Sequence, residues 1–185
     1  KVIFSSESNK LIKEANKKIK VSFKRPKNLA KDNSSTYDVV KHAVNWLDKN
    51  ENWKADIVVI LPPTSPLRKA KHIDDVVDLL IKSNSQAAMT IVEPSYPPYW
   101  MFKKVKMKYQ FILPEGINIQ RRQDTPKVYQ PSGMVWALKY DFLFKMKGIL
   151  PQGKTAGLLV KRKESINIDN ELDFDLAKIL AKKIK

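Results

Sequence analysis

The side chains best suited to bind a polar ligand follow the most continuous apolar run of the sequence. The run Ala55–Leu61 is rich in β-branched residues, which is typical of a strand buried on both faces in the middle of a parallel sheet. Three of the next five residues are proline, and they end the strand because proline lacks an N–H and fixes φ. Ligands of open α/β sheets bind outside the carboxyl ends of the strands, so this turn would hold Thr64, Ser65 and Arg68 at a crevice. The alternative is a purely structural turn before a helix.

A second group of polar side chains lies near the end of the chain. In Ile166–Asp169, the alternation of a strand places the two isoleucines on one face and sends Asn167 and Asp169 to the other. Both polar side chains would then face a common site. The alternative is that the acidic residues between 169 and 175 only complement the positive N-terminal end of a closing helix.

Hydrophobic spacing predicts an alternation of strands and helices around these residues. Apolar residues at helical spacing predict helices over 9–18, 37–48, 73–82 and 140–145, and a closing helix from 170 whose apolar face carries Leu172, Leu176, Ile179, Leu180 and Ile184. Strands are predicted at 2–5, 21–23, 55–61, 87–92, 132–138, 158–161 and 166–169, with a Gly/Pro loop before 158. This order predicts an α/β fold with a doubly wound, mostly parallel sheet and helices on both faces.

The interval 94–130 interrupts the alternation. It is rich in proline, aromatic residues and lysine, and it lacks a helical period. We interpret it as a β arm inserted into a single domain that spans 1–185. Exposed aromatic rings need cover, so the arm predicts a homodimer.

Composition excludes several classes of protein. The chain has no cysteine, which excludes disulfides and zinc–thiolate sites and fits a cytoplasmic location. No apolar run reaches the roughly 18 residues that a membrane-spanning helix requires. The formal charge is +16, but only five of the 35 basic residues are arginine and the lysines are spread along the whole chain. Dispersed lysine is typical of a solvated surface and argues against nucleic acid as a partner.

A glycine-rich phosphate loop is missing from the expected place. Doubly wound nucleotide-binding folds usually begin with a strand followed by such a loop, whereas the first of the five glycines here is Gly116. Either the fold binds no phosphate in that manner, or the first βα unit is absent from this sequence.

Four segments then form an ordered set of motifs along essentially the whole chain. Together they resemble the acylneuraminate cytidylyltransferase family, the CMP-sialic acid synthetases and their relatives. Each motif is modest alone, and the four in one order are specific. The motifs are Arg25-Pro26 with Leu29-Ala30, Asp32 and Ser34–Asp38; LPPTSPLR at 61–68; RRQDTP at 121–126; and INIDNELDF at 166–174.

The resemblance implies a Rossmann-like nucleotidyltransferase sheet with a dimerisation arm and a transfer of CMP from CTP to an acidic keto sugar such as a sialic acid. It implies Mg²⁺ as the cofactor, with Asp169 as the metal ligand and catalytic residue. Members of the family open with a strand and a phosphate-binding loop. We therefore expect this chain to be N-terminally incomplete by about forty residues, on the scale of one βα unit.

The resemblance also assigns binding residues. It places Arg25, Ser35 and Thr36 at the nucleotide, and it places Thr64, Ser65, Arg68, Arg122, Gln123 and Trp136 at the sugar. For Arg122 the alternative is a salt bridge to Asp124 or Glu115. Three positions depart from the family pattern, which usually has aspartate, glutamine and tyrosine where this chain has Asn167, Pro62 and Trp136. The resemblance therefore does not fix the acceptor sugar as ordinary sialic acid.

Two other functions remain open at this point. One is a non-catalytic basic α/β module that binds nucleic acid, and the other is a fragment that is inactive alone. The arginines fall in or near the motif segments, whereas a nucleic-acid surface would concentrate basic residues on one helix or stripe, which favours the transferase.

Overall fold

The computed structural model describes residues 1–145 and 153–183, which contain one four-stranded sheet and a separate hairpin. In chain order the elements are α1 (Asn9–Ala15), α2 (Thr36–Glu51), β1 (Ile57–Ile60), α3 (Ala70–Lys82), β2 (Ala87–Val92), β3 (Phe102–Val105), β4 (Lys108–Phe111), β5 (Gln130–Lys139), α4 (Tyr140–Lys145), β6 (Thr155–Leu159) and α5 (Glu171–Lys183).

The sheet has the strand order β1-β5-β2-β6. Strand β5 runs antiparallel to both β1 and β2, whereas β2 and β6 are parallel. Strands β1, β2 and β6 therefore point in one direction and β5 runs against them. The predicted α/β class is confirmed, and three of the four strands share a direction.

Helices cover both faces of this sheet. On one face, Val76 and Leu80 of α3 pack with Ala88 and Met134 of the sheet, and these side chains are almost fully buried. On the other face, Val44 of α2 and Leu143 of α4 pack with Ala87 and Leu138. The alternating residues of β1 join the two clusters, with Ile57 and Val59 on the α3 side and Val58 and Ile60 on the other.

Strand β1 differs from its prediction. Among the described residues it is an edge strand that pairs only with β5, and its four residues are half-buried rather than buried on both faces. A continuous apolar run cannot distinguish a central strand from an edge strand whose two faces are both covered by helices.

Three of the predicted strands are wrong. No ladder forms at 2–5 or 21–23 within the described residues, although the Arg25 N–H donates to the Ser6 carbonyl at 2.9 Å. Residues 166–169 are also outside the sheet, but the Ile168 N–H donates to the Thr64 carbonyl at 2.8 Å. Short apolar stretches can have the composition of strands, but that composition does not determine which strand they would pair with.

The arm contains the β3–β4 hairpin, whose side chains are largely exposed.

Helix α5 buries Ala177 and leaves Leu172 and Ile179, which we predicted on its apolar face, largely exposed. The strand predicted at 158–161 begins and ends earlier in the sequence, as β6. Residues 146–152 of the predicted Gly/Pro loop and residue Ile184 lie outside the described residues. No helix in the described ranges has the length and apolar character to cross a membrane.

Candidate active site

A cavity of about 380 Å³ opens where β1, β2 and β6 end, which is the carboxyl edge that the sequence predicted for a ligand. Strand β2 contributes its last residue, and the turn that follows β6 closes the opposite side. Because β5 is antiparallel, its first residues form the floor. The lining residues are Val92, Glu93, Ser95, Gln130, Pro131, Ser132, Gly133, Trp136, Arg162, Ser165, Ile166, Asn167, Asp169 and Asp173.

A chain of hydrogen bonds joins the two segments that sequence analysis singled out. Thr64 Oγ1 donates to Asn167 Oδ1 at 2.6 Å, and Asn167 Nδ2 donates to Asp169 Oδ1 at 2.8 Å. Asn167 and Asp169 therefore share one side of the extended segment, as alternation predicted, and both line the cavity. Thr64, predicted to bind the sugar, contacts the site through Asn167.

Helix α5 begins with a reciprocal pair of caps directly after Asp169. Asp173 Oδ2 accepts the N–H groups of Asp169 and Asn170 at 3.1 and 3.2 Å, and Asn170 Oδ1 accepts the N–H of Asp173 at 3.0 Å. The capping role that we weighed for the whole acidic segment thus falls to Asp173. Asp169 instead turns its carboxylate toward Asn167 and the cavity.

Ser65 and Arg68 bind the backbone beneath the cavity. Ser65 is buried, and its hydroxyl donates to the Gly133 carbonyl at 3.1 Å. Arg68 Nη1 donates to the carbonyls of Pro62 and Met134 at 2.9 and 2.8 Å, and burial lowers the pKa of its guanidinium. Neither side chain lines the cavity, so in this structure both residues hold the proline turn against β5.

Trp136 does line the cavity, as its predicted role at the sugar requires. It stands on β5 opposite Ile60 of β1 and Met89 of β2. Its indole Nε1 is buried, and no hydrogen-bond acceptor for it is found among the described residues. Nearby, Gly133 has a φ of +75°, and an added Cβ would lie 3.3 Å from Asn167 Oδ1, so glycine gives the room in which the asparagine sits.

The residues predicted at the nucleotide all fall within the first 36 positions of the chain. The Arg25 guanidinium donates to Ser5, through the Ser5 side chain at 3.2 Å and the Ser5 carbonyl. Ser35 caps α2 by accepting the Tyr37 N–H at 3.1 Å, and Thr36 is the first residue of that helix. None of the three lines the cavity, and their contact with a nucleotide stays a prediction.

Arg122 and Gln123 occupy a short exposed 3-10 turn, Arg122–Asp124, that lies within the arm after the β3–β4 hairpin. The salt bridge that we considered for Arg122 belongs to its neighbour, because Arg121 Nε contacts Asp124 Oδ2 at 2.8 Å. The turn lies outside the cavity lining, so the structure does not bring the predicted sugar-binding arginine to Asp169.

Several residues of the cavity escaped sequence analysis. Glu93 follows β2 directly, and Arg162 and Ser165 belong to the turn after β6. Their position at the carboxyl ends of parallel strands was the available signal.

Mg²⁺ is compatible with this donor set. No group of three or more metal-binding side chains forms in the ranges 1–145 and 153–183. Mg²⁺ does not require one, because it typically takes one or two carboxylates and completes its shell with water and substrate phosphates. The hydrogen bond from Asn167 uses Asp169 Oδ1, and Oδ2 has no described partner.

The comparisons with known proteins agree with this architecture. In structure, the chain is similar to a CMP:2-keto-3-deoxy-manno-octonic acid synthetase solved with CTP, with a TM-score of 0.62 and 11% identity over 98% of this chain and 80% of that one. The chain therefore shares the fold of that synthetase. No family model matches the sequence.

Relatives in sequence have names that are more specific about the class of enzyme. The chain is 28% identical to the pseudaminic acid cytidylyltransferase of Campylobacter jejuni over 98% of its length and 78% of the relative. It is 26% identical to the CMP-N,N'-diacetyllegionaminic acid synthase of the same organism, over 97% and 76%. It is also 25% identical to the post-translational flagellin modification protein B of Campylobacter coli, over 98% and 77%. These findings confirm the resemblance to the acylneuraminate cytidylyltransferase, or CMP-sialic acid synthetase, family.

Proposed function

We propose that this protein is a cytidylyltransferase that transfers CMP from CTP to a sialic-acid-like keto acid sugar, in the synthesis of activated sugars for surface glycans. The observation that carries the proposal is the polar cavity at the carboxyl edge of β1, β2 and β6, in a fold shared with a CMP-sugar synthetase. The names of the sequence relatives supply the acid-sugar acceptor.

The reaction would join two anions. The anomeric hydroxyl of the sugar forms a bond to the α-phosphorus of CTP and loses its proton, and the bond between that phosphorus and the bridging oxygen breaks to release pyrophosphate. Polar side chains from Gln130, Ser132 and Ser165 line the cavity and suit the hydroxyl groups of a sugar.

Mg²⁺ is the cofactor that we propose, with Asp169 as its protein ligand. When bound, the ion would neutralise charge that develops on the phosphoryl oxygens. The protein's own contribution is to hold the Asp169 carboxylate in place through the amide of Asn167, which Thr64 in turn orients. This role makes Asp169 the residue that we expect to be catalytic.

We also propose a homodimer formed through the arm. The β3–β4 hairpin leaves Met107 94% and Tyr109 72% exposed, and Tyr96, which precedes it in the arm, is 74% exposed. Such apolar side chains on a protruding two-stranded ribbon are costly in water and suit an interface. Trp100 is a different case, because its Nε1 donates to the Ile119 carbonyl at 2.9 Å and thereby holds the base of the arm.

The test is a pyrophosphate-release assay on the full-length protein with CTP, Mg²⁺ and a panel of N-acylneuraminic, pseudaminic and diacetyllegionaminic acids. We expect pyrophosphate and a CMP-sugar in equal amounts, and only when an acid sugar is present. Preference for UTP or ATP, or an absence of turnover with every sugar, would contradict the proposal. Binding of duplex DNA in a parallel shift assay at physiological salt would support the nucleic-acid alternative instead.

A further inference from the structure

We propose that Arg162 binds the carboxylate of the acceptor sugar. This inference rests on the proposed function and identifies a specificity residue in the same cavity. Neither sequence analysis nor the comparisons assign Arg162 a role. Its turn, Arg162–Glu164, follows β6 at the edge of the sheet where the ligand is expected.

The charged side chains that line the cavity favour this role for Arg162. Three carboxylates line it, from Glu93, Asp169 and Asp173, and Arg162 is the one basic side chain among the lining residues. An anionic sugar that entered a cavity with these carboxylates alone would be repelled. Mg²⁺ would offset the charge of Asp169, and Arg162 is the lining residue that can face the sugar's own carboxylate.

The Arg162 side chain is available for this contact. Its guanidinium has no hydrogen bond or ion pair in the part of the chain that the structure describes, although three carboxylates line the same cavity. By contrast, Arg68 is bound to two backbone carbonyls and Arg121 is paired with Asp124. A planar guanidinium can donate two parallel hydrogen bonds to a carboxylate, which a lysine cannot.

The turn that carries Arg162 is held at its C-terminal end. Ser165 donates its N–H and its hydroxyl to the Arg162 carbonyl at 3.1 and 3.0 Å. Glu164 reaches α3, where Oε1 contacts Lys69 Nζ at 2.7 Å and Oε2 lies 3.5 Å from His72 Nε2. The backbone of Arg162 is thus fixed relative to the start of α3, which restricts where its side chain can reach.

The triphosphate of CTP is the other anion that Arg162 could bind, and Arg122 is the other arginine that could bind the sugar. Both alternatives can be separated by kinetics. The variants are Arg162→Gln, Arg162→Lys and Arg122→Gln in the full-length protein. Lys163→Gln is the matched control, because it removes one positive charge from the same turn at a residue outside the cavity lining.

The assay compares the best acid sugar of the panel with its methyl ester, which has the same shape without the negative charge. We expect Arg162→Gln to raise the KM for the acid on the order of 10- to 100-fold, the cost of losing hydrogen bonds to a charged group, and to leave the KM for CTP within about twofold. The preference of the wild type for acid over ester should collapse toward unity in Arg162→Gln. Arg162→Lys should fall between the two, and Lys163→Gln should match the wild type.

Three results would overturn the inference while leaving the proposed function intact. An unchanged acid-to-ester preference in Arg162→Gln removes it, as does an increase confined to the KM for CTP. A loss of preference in Arg122→Gln alone assigns the carboxylate to Arg122 instead. If the wild type turns over no acid sugar, the proposed function fails and the inference falls with it. Thermal melts of each variant exclude unfolding as the cause of any change.

Discussion

The Thr64 hydroxyl and the Asn167 side-chain carbonyl, 103 positions apart in sequence, are joined by a hydrogen bond of 2.6 Å. This contact connects the turn after β1 to the segment that precedes α5. Its direction matters, because an asparagine that accepts at Oδ1 presents its amide hydrogens to Asp169.

We first predict the effect of removing that hydroxyl. Thr64→Val keeps the shape of the side chain and deletes the donor, so Asn167 loses the partner that orients it. We expect turnover to fall on the order of tenfold and stability to fall by about 1 kcal/mol. Thr64→Ser, which retains the hydroxyl, should keep most of both. Equal rates for the valine and serine variants would show that the bond does not position Asp169.

The second prediction separates Asp169 from the helix cap. Asp169→Asn should lower turnover by about a hundredfold or more, because charge stabilisation at the phosphoryl group is lost, and should leave the melting temperature nearly unchanged. Asp173→Ala should instead lower stability by about 0.5–2 kcal/mol, since the Asp173 side chain accepts two N–H groups at the start of α5. The measurements are initial rates against Mg²⁺ concentration and thermal melts.

The control for both variants is Asp175→Asn. Asp175 pairs with Lys178 at 3.0 Å on the exposed side of α5 and does not line the cavity, so its loss should change neither quantity much. An Asp169→Asn protein that melts early but keeps its rate per folded molecule would mean that Asp169 is structural.

A pH dependence follows from Glu164. The hydrogen bond from Lys69 lowers the pKa of Glu164 from its ordinary value of 4.5, so the folded protein binds fewer protons at this group than the unfolded chain. The stabilisation is therefore fully present above the ordinary pKa and is lost as pH falls through the lower, folded one. Thermal melts from neutral pH downward should show wild type more stable than Glu164→Gln, with the difference shrinking below about pH 4.5. A difference that stays constant over that range would contradict the assignment.

The fourth prediction concerns the arm. Met107→Ser combined with Tyr109→Ser should weaken the homodimer by an order of magnitude or more in dissociation constant, because both side chains are exposed on the hairpin and make no core contact. Sedimentation at several micromolar concentrations gives the measurement. Ile81→Ser is a suitable control, since Ile81 is 61% exposed on α3, away from the arm. A wild-type protein that remains monomeric at all concentrations would rule the dimer out.

Sequence periodicity predicted the elements that have a strong repeat and a clear start. Helices α2 and α3 and strand β2 form close to their predicted positions, because their apolar residues recur at one period over several turns or pleats. The short stretches at 2–5 and 21–23 failed because composition alone does not supply a ladder partner.

For the candidate site, too, the sequence placed some residues correctly and missed others. Alternation placed Asn167 and Asp169 on one side correctly even though no strand forms there, since an extended backbone suffices for that geometry. The resemblance could not foresee that Ser65 and Arg68 bind backbone carbonyls beneath the cavity. Nor could it find Arg162, whose position depends on where β6 ends.

The central position of β5 has a consequence for the order in which the protein is assembled. Strands β1 and β2 do not pair with each other, and both take β5 as their neighbour. A ribosome therefore completes β1, β2 and the whole arm before it makes the strand that joins them. Until Gln130–Lys139 emerges, the apolar edges of β1 and β2 have no ladder partner, which is a condition that favours aggregation of a nascent chain. Four lysines of the arm lie between 103 and 108, and these charges, synthesised in that interval, would help to keep the unfinished sheet in solution.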